Sequence, residues 1–127
     1  FSDLPSDCAL ILMGHGTSHY ANDVYAALDY RFKDLGHDNI HLATVEGYPT
    51  LENVIRLVKE QGAKKVILTP FMIVAGDHAR NDMSGEDEDS WKNQFQAAGY
   101  EVECCLKGLG EYPAVQNMLI RHVTEVC

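Results

Sequence analysis

Basic residues are scarce in this sequence of 127 residues. Ten Lys and Arg stand against 19 Asp and Glu, so the formal net charge is -9 at pH 7 with the histidines neutral. Nucleic acids and anionic membrane surfaces attract proteins through clustered positive charge, and here the few basic residues are scattered. The composition therefore argues against a nucleic acid or an anionic membrane as a partner.

Long apolar runs and paired cysteines are also missing. No stretch approaches the ~20 apolar residues that span a bilayer, and no signal-peptide pattern is visible. The chain begins with Phe1 rather than Met, which leaves open a removed N-terminal part, including one that directed export. A cytoplasmic protein with free thiols is expected, because no Cys-x-x-Cys pair suggests a zinc site. The four cysteines are Cys8, Cys104, Cys105 and Cys127.

Strands and helices alternate along the chain. Short apolar runs predict strands at 8–13, 40–45, 66–69 and 100–106, and helical spacing of apolar residues predicts helices at 21–35, 51–62, 87–98 and from 115 onward. Residues 70–82 are expected to form a long connection. Alternation with right-handed crossovers predicts one α/β domain over residues 1–127, with a four-stranded parallel sheet and helices on both faces. The simplest strand order is 2-1-3-4.

A histidine between two glycines follows the first predicted strand. In Gly14-His15-Gly16 the imidazole stands at the carboxyl end of a buried strand, which is where open α/β sheets bind ligands. The two glycines are expected to leave room for a ligand beside the imidazole. The alternative is a loop histidine bonded to backbone. The pattern favours ligand contact by His15.

Glu46 and His78 follow the second and third predicted strands. Because the carboxyl ends of parallel strands meet at one edge, both should lie near His15. Two imidazoles and one carboxylate suit a borderline divalent cation such as cobalt, iron, nickel or zinc. The alternatives are a helix-capping role for Glu46 and an exposed loop position for His78. The convergence of the three residues favours a metal site.

Other polar residues carry weaker signals. His19 either faces the same cleft or is an exposed helix residue, and Tyr48 is a candidate cleft residue. His37 and His41 flank a turn and are expected at the surface. The acidic run 86–89 is interpreted as favourable charge at a helix start, and Trp91 as the anchor of that helix.

Three longer segments occur in this order in the chain: Gly14-His15-Gly16-Thr17 with His19 and Ala21-Asn22; Val45-Glu46-Gly47-Tyr48-Pro49; and the segment 70–83, which contains Ala75-Gly76-Asp77-His78-Ala79-Arg80. Together they resemble the anaerobic sirohydrochlorin cobaltochelatases of the CbiK type. The resemblance covers essentially the whole chain but only the C-terminal half of the usual family length. It implies one flavodoxin-like lobe of a two-lobed class II chelatase. The other cleft wall would then come from a missing N-terminal lobe or a second copy.

The resemblance implies insertion of Co²⁺ into sirohydrochlorin or precorrin-2 in anaerobic cobalamin biosynthesis, with Fe²⁺ or Ni²⁺ as alternative metals and no organic cofactor. It implies cobalt binding by His15, Glu46 and His78, the two histidines also being catalytic proton acceptors. A non-catalytic tetrapyrrole or metal carrier is the alternative function. A flavodoxin-like signalling domain is disfavoured, since no phosphate-binding loop follows the first strand. The expected substrate-binding residues are Gly14, Gly16, His19, Tyr48 and Arg80.

Overall fold

The computed structural model describes residues 4–16, 22–72 and 74–126; for residues 78, 122, 123, 125 and 126 the description covers the backbone alone. Strands and helices alternate as the sequence predicts, apart from one additional helix. The elements are β1 (Cys8–Gly14), α1 (Asp23–Asp34), β2 (Ile40–Thr44), α2 (Leu51–Gln61), β3 (Lys65–Pro70), α3 (Asp77–Ser84), α4 (Trp91–Ala97), β4 (Glu101–Cys104), a 3-10 turn (Leu109–Glu111) and α5 (Pro113–Val126).

The four strands form one parallel sheet in the order β2-β1-β3-β4. The predicted fold class and strand order are therefore confirmed. Gly14 at the end of β1 lies beside Thr44 of β2, and Met13 lies beside Pro70 of β3. The loops that follow these three strands consequently leave the sheet at the same edge.

The main hydrophobic core lies between the sheet and helices α2, α3 and α4. Continuous aliphatic strands bury side chains on this face, while α1 lies along the edge strand β2. The helix α5 packs on the 3-10 turn and leaves Met118, Leu119 and Ile120 exposed. Apart from two alanines, the members of the core are Ile11, Met13, Leu51, Val54, Val58, Val66, Leu68, Met83, Trp91 and Phe95.

Helix α3 corrects the expectation of a continuous non-helical connection over 70–82. Its sequence is mostly polar, so periodicity alone gave little sign of a helix. Met83 is only 1% exposed and packs in the core. Tertiary packing of this one side chain therefore stabilises a helix that the local pattern does not predict.

Helix α4 begins at Trp91, four residues later than predicted. The Ser90 hydroxyl accepts a hydrogen bond from the Asn93 backbone N–H at 3.3 Å, which is a helix N-cap. The Asn93 side-chain amide donates to the Asp87 carbonyl at 2.8 Å. The acidic residues 86–89 thus directly precede the N-cap, and the predicted helix start at residue 87 was wrong. Trp91 is 5% exposed and anchors the helix as expected.

His41 is fully buried, so its expected surface position was wrong. Lys33 Nζ donates to Nδ1 at 3.2 Å, because an ammonium group has only protons to offer. Nε2 donates to Gln61 Oε1 at 2.8 Å, and the Gln61 amide nitrogen donates in turn to the Asp38 carbonyl. Burial, and then the Lys33 charge, lower the pKa of His41. The imidazole is therefore held neutral in the folded protein.

This neutral imidazole predicts a loss of stability in acid. Because the folded pKa lies below the ordinary value near 6.5, the contribution is complete above that value and is lost as the pH falls toward the folded pKa. Protonated Nδ1 no longer accepts from Lys33, at a cost of about 1 kcal/mol or more. Urea unfolding at pH 7.5, 6.0 and 5.0 measures the effect. The variant His41→Gln should show a weaker pH dependence, and equal slopes for both proteins would contradict the assignment.

Three of the four cysteines lie in the described part of the chain, and none of them forms a disulfide bond there. Cys8, Cys104 and Cys105 are free thiols, and Cys127 lies outside the described residues. Burial raises the pKa of Cys8 and of Cys104, so both favour the protonated thiol. Within the described ranges, no helix is both long enough and apolar enough to cross a bilayer.

Candidate functional site

His15 and Glu46 lie next to each other at the carboxyl edge of the sheet. The Val45 N–H donates to the Gly14 carbonyl and the Glu46 N–H donates to the His15 carbonyl, both at 3.0 Å. These bonds continue the pairing of β1 and β2 beyond the ends of the strands. His15 Nδ1 and Glu46 Oε2 are 3.8 Å apart. The structure thus brings together two of the predicted metal-binding residues.

The hydrogen bond of His15 defines its tautomer. Nδ1 lies 3.0 Å from the Gly16 carbonyl oxygen, which can only accept, so Nδ1 carries the proton. The lone pair is then on Nε2. Metal-binding histidines commonly donate one ring N–H to a carbonyl and bind the metal through the other nitrogen. The side chain is 68% exposed, so most of the imidazole is open to solvent.

A cavity of about 280 Å³ opens beside these two side chains. Helix α3 supplies Ala79 and Asp82 to its wall, and Met72 contributes from the loop after β3. The backbone of His78 is adjacent to Ala79 on the same helix. The side chain of His78 lies outside the described residues, so its part in the site stays a prediction. Among the described side chains, no three His, Cys, Asp or Glu residues converge closely enough to hold one metal ion.

The glycines beside His15 face protein atoms rather than open space. A Cβ on Gly14 would lie 2.5 Å from Tyr25 Cε1. Gly16 has φ +79°, and a Cβ there would lie 2.8 Å from the Gly47 backbone nitrogen. The glycines were expected to leave room for a ligand beside the imidazole. That explanation was wrong, because a Cβ at either position would meet protein atoms. The two glycines allow the loop that carries His15 to pack against α1 and against the turn that carries Glu46.

The turn that carries Glu46 is held by residues that the sequence analysis missed. Thr44 Oγ1 accepts from the Gly47 N–H at 2.9 Å and donates to the Pro49 carbonyl at 3.1 Å. The Asn22 side-chain amide donates to the Tyr48 carbonyl at 2.6 Å. Thr44 and Asn22 are both buried. The sequence feature that could have indicated this role is a threonine at the end of an apolar strand, just before a loop.

Two of the predicted substrate-binding residues, Tyr48 and Arg80, are not among the described residues that line this cavity. Tyr48 is 60% exposed, and Arg80 Nε donates to the Ala75 carbonyl at 3.1 Å. Successive helical residues are rotated by about 100°. Ala79 and Asp82 therefore share a face of α3 that Arg80 does not. His19 lies outside the described residues.

Comparisons with known proteins agree on the family. The sequence profile of the cobalt chelatase (CbiK) family matches residues 2–127. Sirohydrochlorin cobaltochelatase of Salmonella typhimurium is 42% identical over 114 residues, which cover 90% of this chain and 43% of that protein. Sirohydrochlorin cobaltochelatase CbiKC of Nitratidesulfovibrio vulgaris is 35% identical, covering 93% of this chain and 42% of that protein. The chain thus spans less than half the length of these two relatives.

A solved structure supports the same fold. A CbiX protein of cobalamin biosynthesis from Marinobacter aquaeolei VT8 superposes with a TM-score of 0.70 at 21% identity, covering 93% of this chain and 92% of the other. At that identity the likeness concerns the fold alone. The family assignment rests on the profile match over residues 2–127 and on the two relatives above. The chain belongs to the cobalt chelatase (CbiK) family.

Proposed function

We propose that this chain takes part in the insertion of Co²⁺ into sirohydrochlorin, the reaction named for its relatives from Salmonella typhimurium and Nitratidesulfovibrio vulgaris. One structural observation carries the proposal. An exposed imidazole, which bonds the backbone through Nδ1, and a carboxylate line the same cavity at the ligand-binding edge of a parallel sheet. Imidazole suits cobalt, and one carboxylate adds charge without making the site too hard.

Metal insertion exchanges two ring N–H protons of the macrocycle for one divalent cation. The protons need acceptors close to the ring nitrogens. Imidazole suits this role, because its charge changes near neutral pH. The same group binds a metal only when it is neutral, so cation release and proton uptake are coupled at His15. His78, on the helix beside the cavity, is proposed as the second imidazole.

Glu46 supplies negative charge to the cation. In this structure its carboxylate lies on the Nδ1 side of His15, where it favours the tautomer with Nε2 free. Its side chain is 63% exposed, and it is proposed to rotate toward a cation bound on Nε2. Removal of this carboxylate should weaken cobalt binding more than tetrapyrrole binding.

The polyanionic tetrapyrrole needs positive partners on an acidic chain. The exposed Arg80 guanidinium is the proposed partner for a substrate carboxylate, since Arg pairs with carboxylates through two parallel hydrogen bonds. Tyr48, exposed on the turn after Glu46, is proposed to contact the ring. The opposite wall of the cleft is proposed to come from an N-terminal lobe or from a second copy of this chain.

Turnover distinguishes an enzyme from a carrier. The complete encoded protein is mixed anaerobically with excess sirohydrochlorin and Co²⁺, and the absorbance change is followed after subtraction of the protein-free rate. We expect about ten or more equivalents of cobalt product per protein chain. A single stoichiometric spectral change without product release would reject the enzyme and support a tetrapyrrole or metal carrier. Parallel assays with Fe²⁺ and Ni²⁺ report metal preference.

A further inference from the structure

Thr44 lies beneath both loops that carry the proposed metal ligands. It is the last residue of β2, it pairs with Gly14 of β1, and it is only 3% exposed. A Cβ on Gly16 would lie 2.7 Å from Thr44 Cβ, so the His15 loop packs directly against this side chain. Glu46 follows Thr44 by two residues. A buried hydroxyl group thus lies where the His15 loop and the Glu46 turn meet.

The Thr44 hydroxyl makes its described hydrogen bonds inside the Glu46 turn. Oγ1 donates to the Pro49 carbonyl at 3.1 Å and accepts from the Gly47 N–H at 2.9 Å. The Pro49 carbonyl also accepts from the Thr44 N–H at 2.7 Å, so it retains a donor when the hydroxyl is removed. The Gly47 N–H would lose Oγ1 as its acceptor. Loss of the hydroxyl therefore affects the Gly47 end of this turn most.

Glu46 is held through the peptide units on its two sides. Its own N–H donates to the His15 carbonyl at 3.0 Å, which fixes the peptide unit before it. The peptide unit after it ends in the Gly47 N–H, which the Thr44 hydroxyl holds. Because peptide units are planar, two fixed units determine the direction of the Glu46 Cα–Cβ bond. The Glu46 side chain is 63% exposed, so its direction toward the site depends on this backbone.

We propose that Thr44 is a positioning residue for Glu46, and that its buried hydroxyl sets the affinity of the site for a divalent cation. The hydroxyl touches neither the cation nor the tetrapyrrole. It acts through the Gly47 peptide unit on the direction of the Glu46 carboxylate. This inference rests on the proposed function, because it takes Glu46 as a ligand of the cation. It adds to that function a residue that acts from below the site.

A double-mutant cycle between Thr44 and Glu46 tests this role. The Kd for Co²⁺ is measured by calorimetric titration of the complete encoded protein, without tetrapyrrole, for Thr44→Val, Glu46→Gln and the double variant. Valine keeps the shape of the side chain and removes the hydroxyl. Since groups that orient a metal ligand commonly change metal affinity by about 10–100-fold, we expect Thr44→Val to raise the Kd about 10-fold. When residue 46 is already Gln, the same change should alter the Kd by less than about 2-fold.

The conservative variant and the kinetic constants provide two further measurements. Thr44→Ser keeps the hydroxyl, so its Kd for Co²⁺ should stay within about 2-fold of wild type. In turnover assays, Thr44→Val should raise KM for Co²⁺ about 10-fold and leave KM for sirohydrochlorin within about 2-fold of wild type. A general loss of folded protein would change neither KM.

Thr69→Val is the matched control. Thr69 is a second buried threonine near the end of a strand, but it lines a separate cavity together with Leu12 and Phe71. Its loss of a hydroxyl should leave the Kd for Co²⁺ within about 2-fold of wild type. Urea unfolding curves are recorded for every variant. Thr44→Ala, which also lacks the hydroxyl, replaces Thr44→Val in the cycle if the valine variant does not fold.

The cycle separates failure of this inference from failure of the proposed function. A weakened Glu46→Gln beside an unchanged Thr44→Val would overturn the inference alone. An equal fold-change from Thr44→Val in both Glu46 backgrounds would also overturn it, because Thr44 would then act on the fold as a whole. Normal Co²⁺ affinity of Glu46→Gln would reject the metal role of Glu46 in the proposed function, and the inference with it.

Discussion

The variant His15→Ala is expected to lower the rate of cobalt insertion by about 100-fold or more. The substitution removes the residue proposed as both metal ligand and proton acceptor, and a positioned acid–base group alone contributes about 10²–10⁴-fold. The His15 side chain is two-thirds exposed, and its described polar contacts are the Gly16 carbonyl and the more distant Glu46 carboxylate. The free energy of unfolding should therefore change by only about 0.5 kcal/mol.

His37→Ala is the matched control for this experiment. His37 is exposed in the turn between α1 and β2, at the opposite end of the sheet from the site, so its loss removes one imidazole elsewhere. Initial rates of cobalt insertion and urea unfolding curves are measured for both variants. Near-normal insertion by His15→Ala would reject the assigned role. His78→Ala is expected to behave like His15→Ala.

The variant Gly16→Ala is expected to destabilise the protein by about 2–5 kcal/mol. Left-handed φ costs a residue with a side chain about 1–2 kcal/mol, and crowding against a packed neighbour costs about 1–3 kcal/mol more. Here the neighbour includes the Gly47 backbone, which cannot rotate away as a side chain can. The loop must shift, which separates His15 from the turn carrying Glu46. Cobalt insertion at a temperature where the variant is folded should fall about 10-fold.

The variant Gly36→Ala measures how much of this destabilisation comes from the left-handed backbone alone. Gly36 has φ +88°, close to that of Gly16, but a Cβ there would meet nothing within 4 Å. Its destabilisation should therefore be limited to the left-handed cost of about 1–2 kcal/mol, with normal insertion. Unfolding curves and insertion rates of the two variants provide the comparison. Equal destabilisation would show that packing of the His15 loop on the Glu46 turn contributes little.

The glycine contacts explain how an exposed pair of side chains is held in place. Neither His15 nor Glu46 is buried, so neither is held by packing of its own side chain. Their backbones are fixed instead, by two bonds between the loops after β1 and β2 and by the buried Thr44 hydroxyl under the turn. Side chains on a fixed backbone remain free to exchange ligands. This arrangement suits the proposed role, in which the site both binds a cation and releases it.

The fold and the neighbourhood of His15 and Glu46 followed from local sequence patterns. Short aliphatic runs alternating with helical spacing predict a parallel sheet, and the carboxyl ends of neighbouring parallel strands lie at one edge. Helix α3 did not follow, because it depends mainly on Met83 entering the core. His41 did not follow either. Its burial depends on Lys33 and Gln61, which reach it from two different helices.

By itself, then, the sequence determined the α/β class, the strand order and the placement of two metal-binding candidates at one edge, since these depend on periodicity and on the direction of parallel strands. The tertiary structure alone decided what surrounds those candidates. It showed that side chains at positions 14 and 16 would meet protein atoms, that Arg80 bonds the Ala75 carbonyl and is not among the described residues lining the cavity, and that Asp82 borders it. Such contacts join residues far apart in the chain, and their geometry depends on packing distances and helix rotation that no local pattern contains.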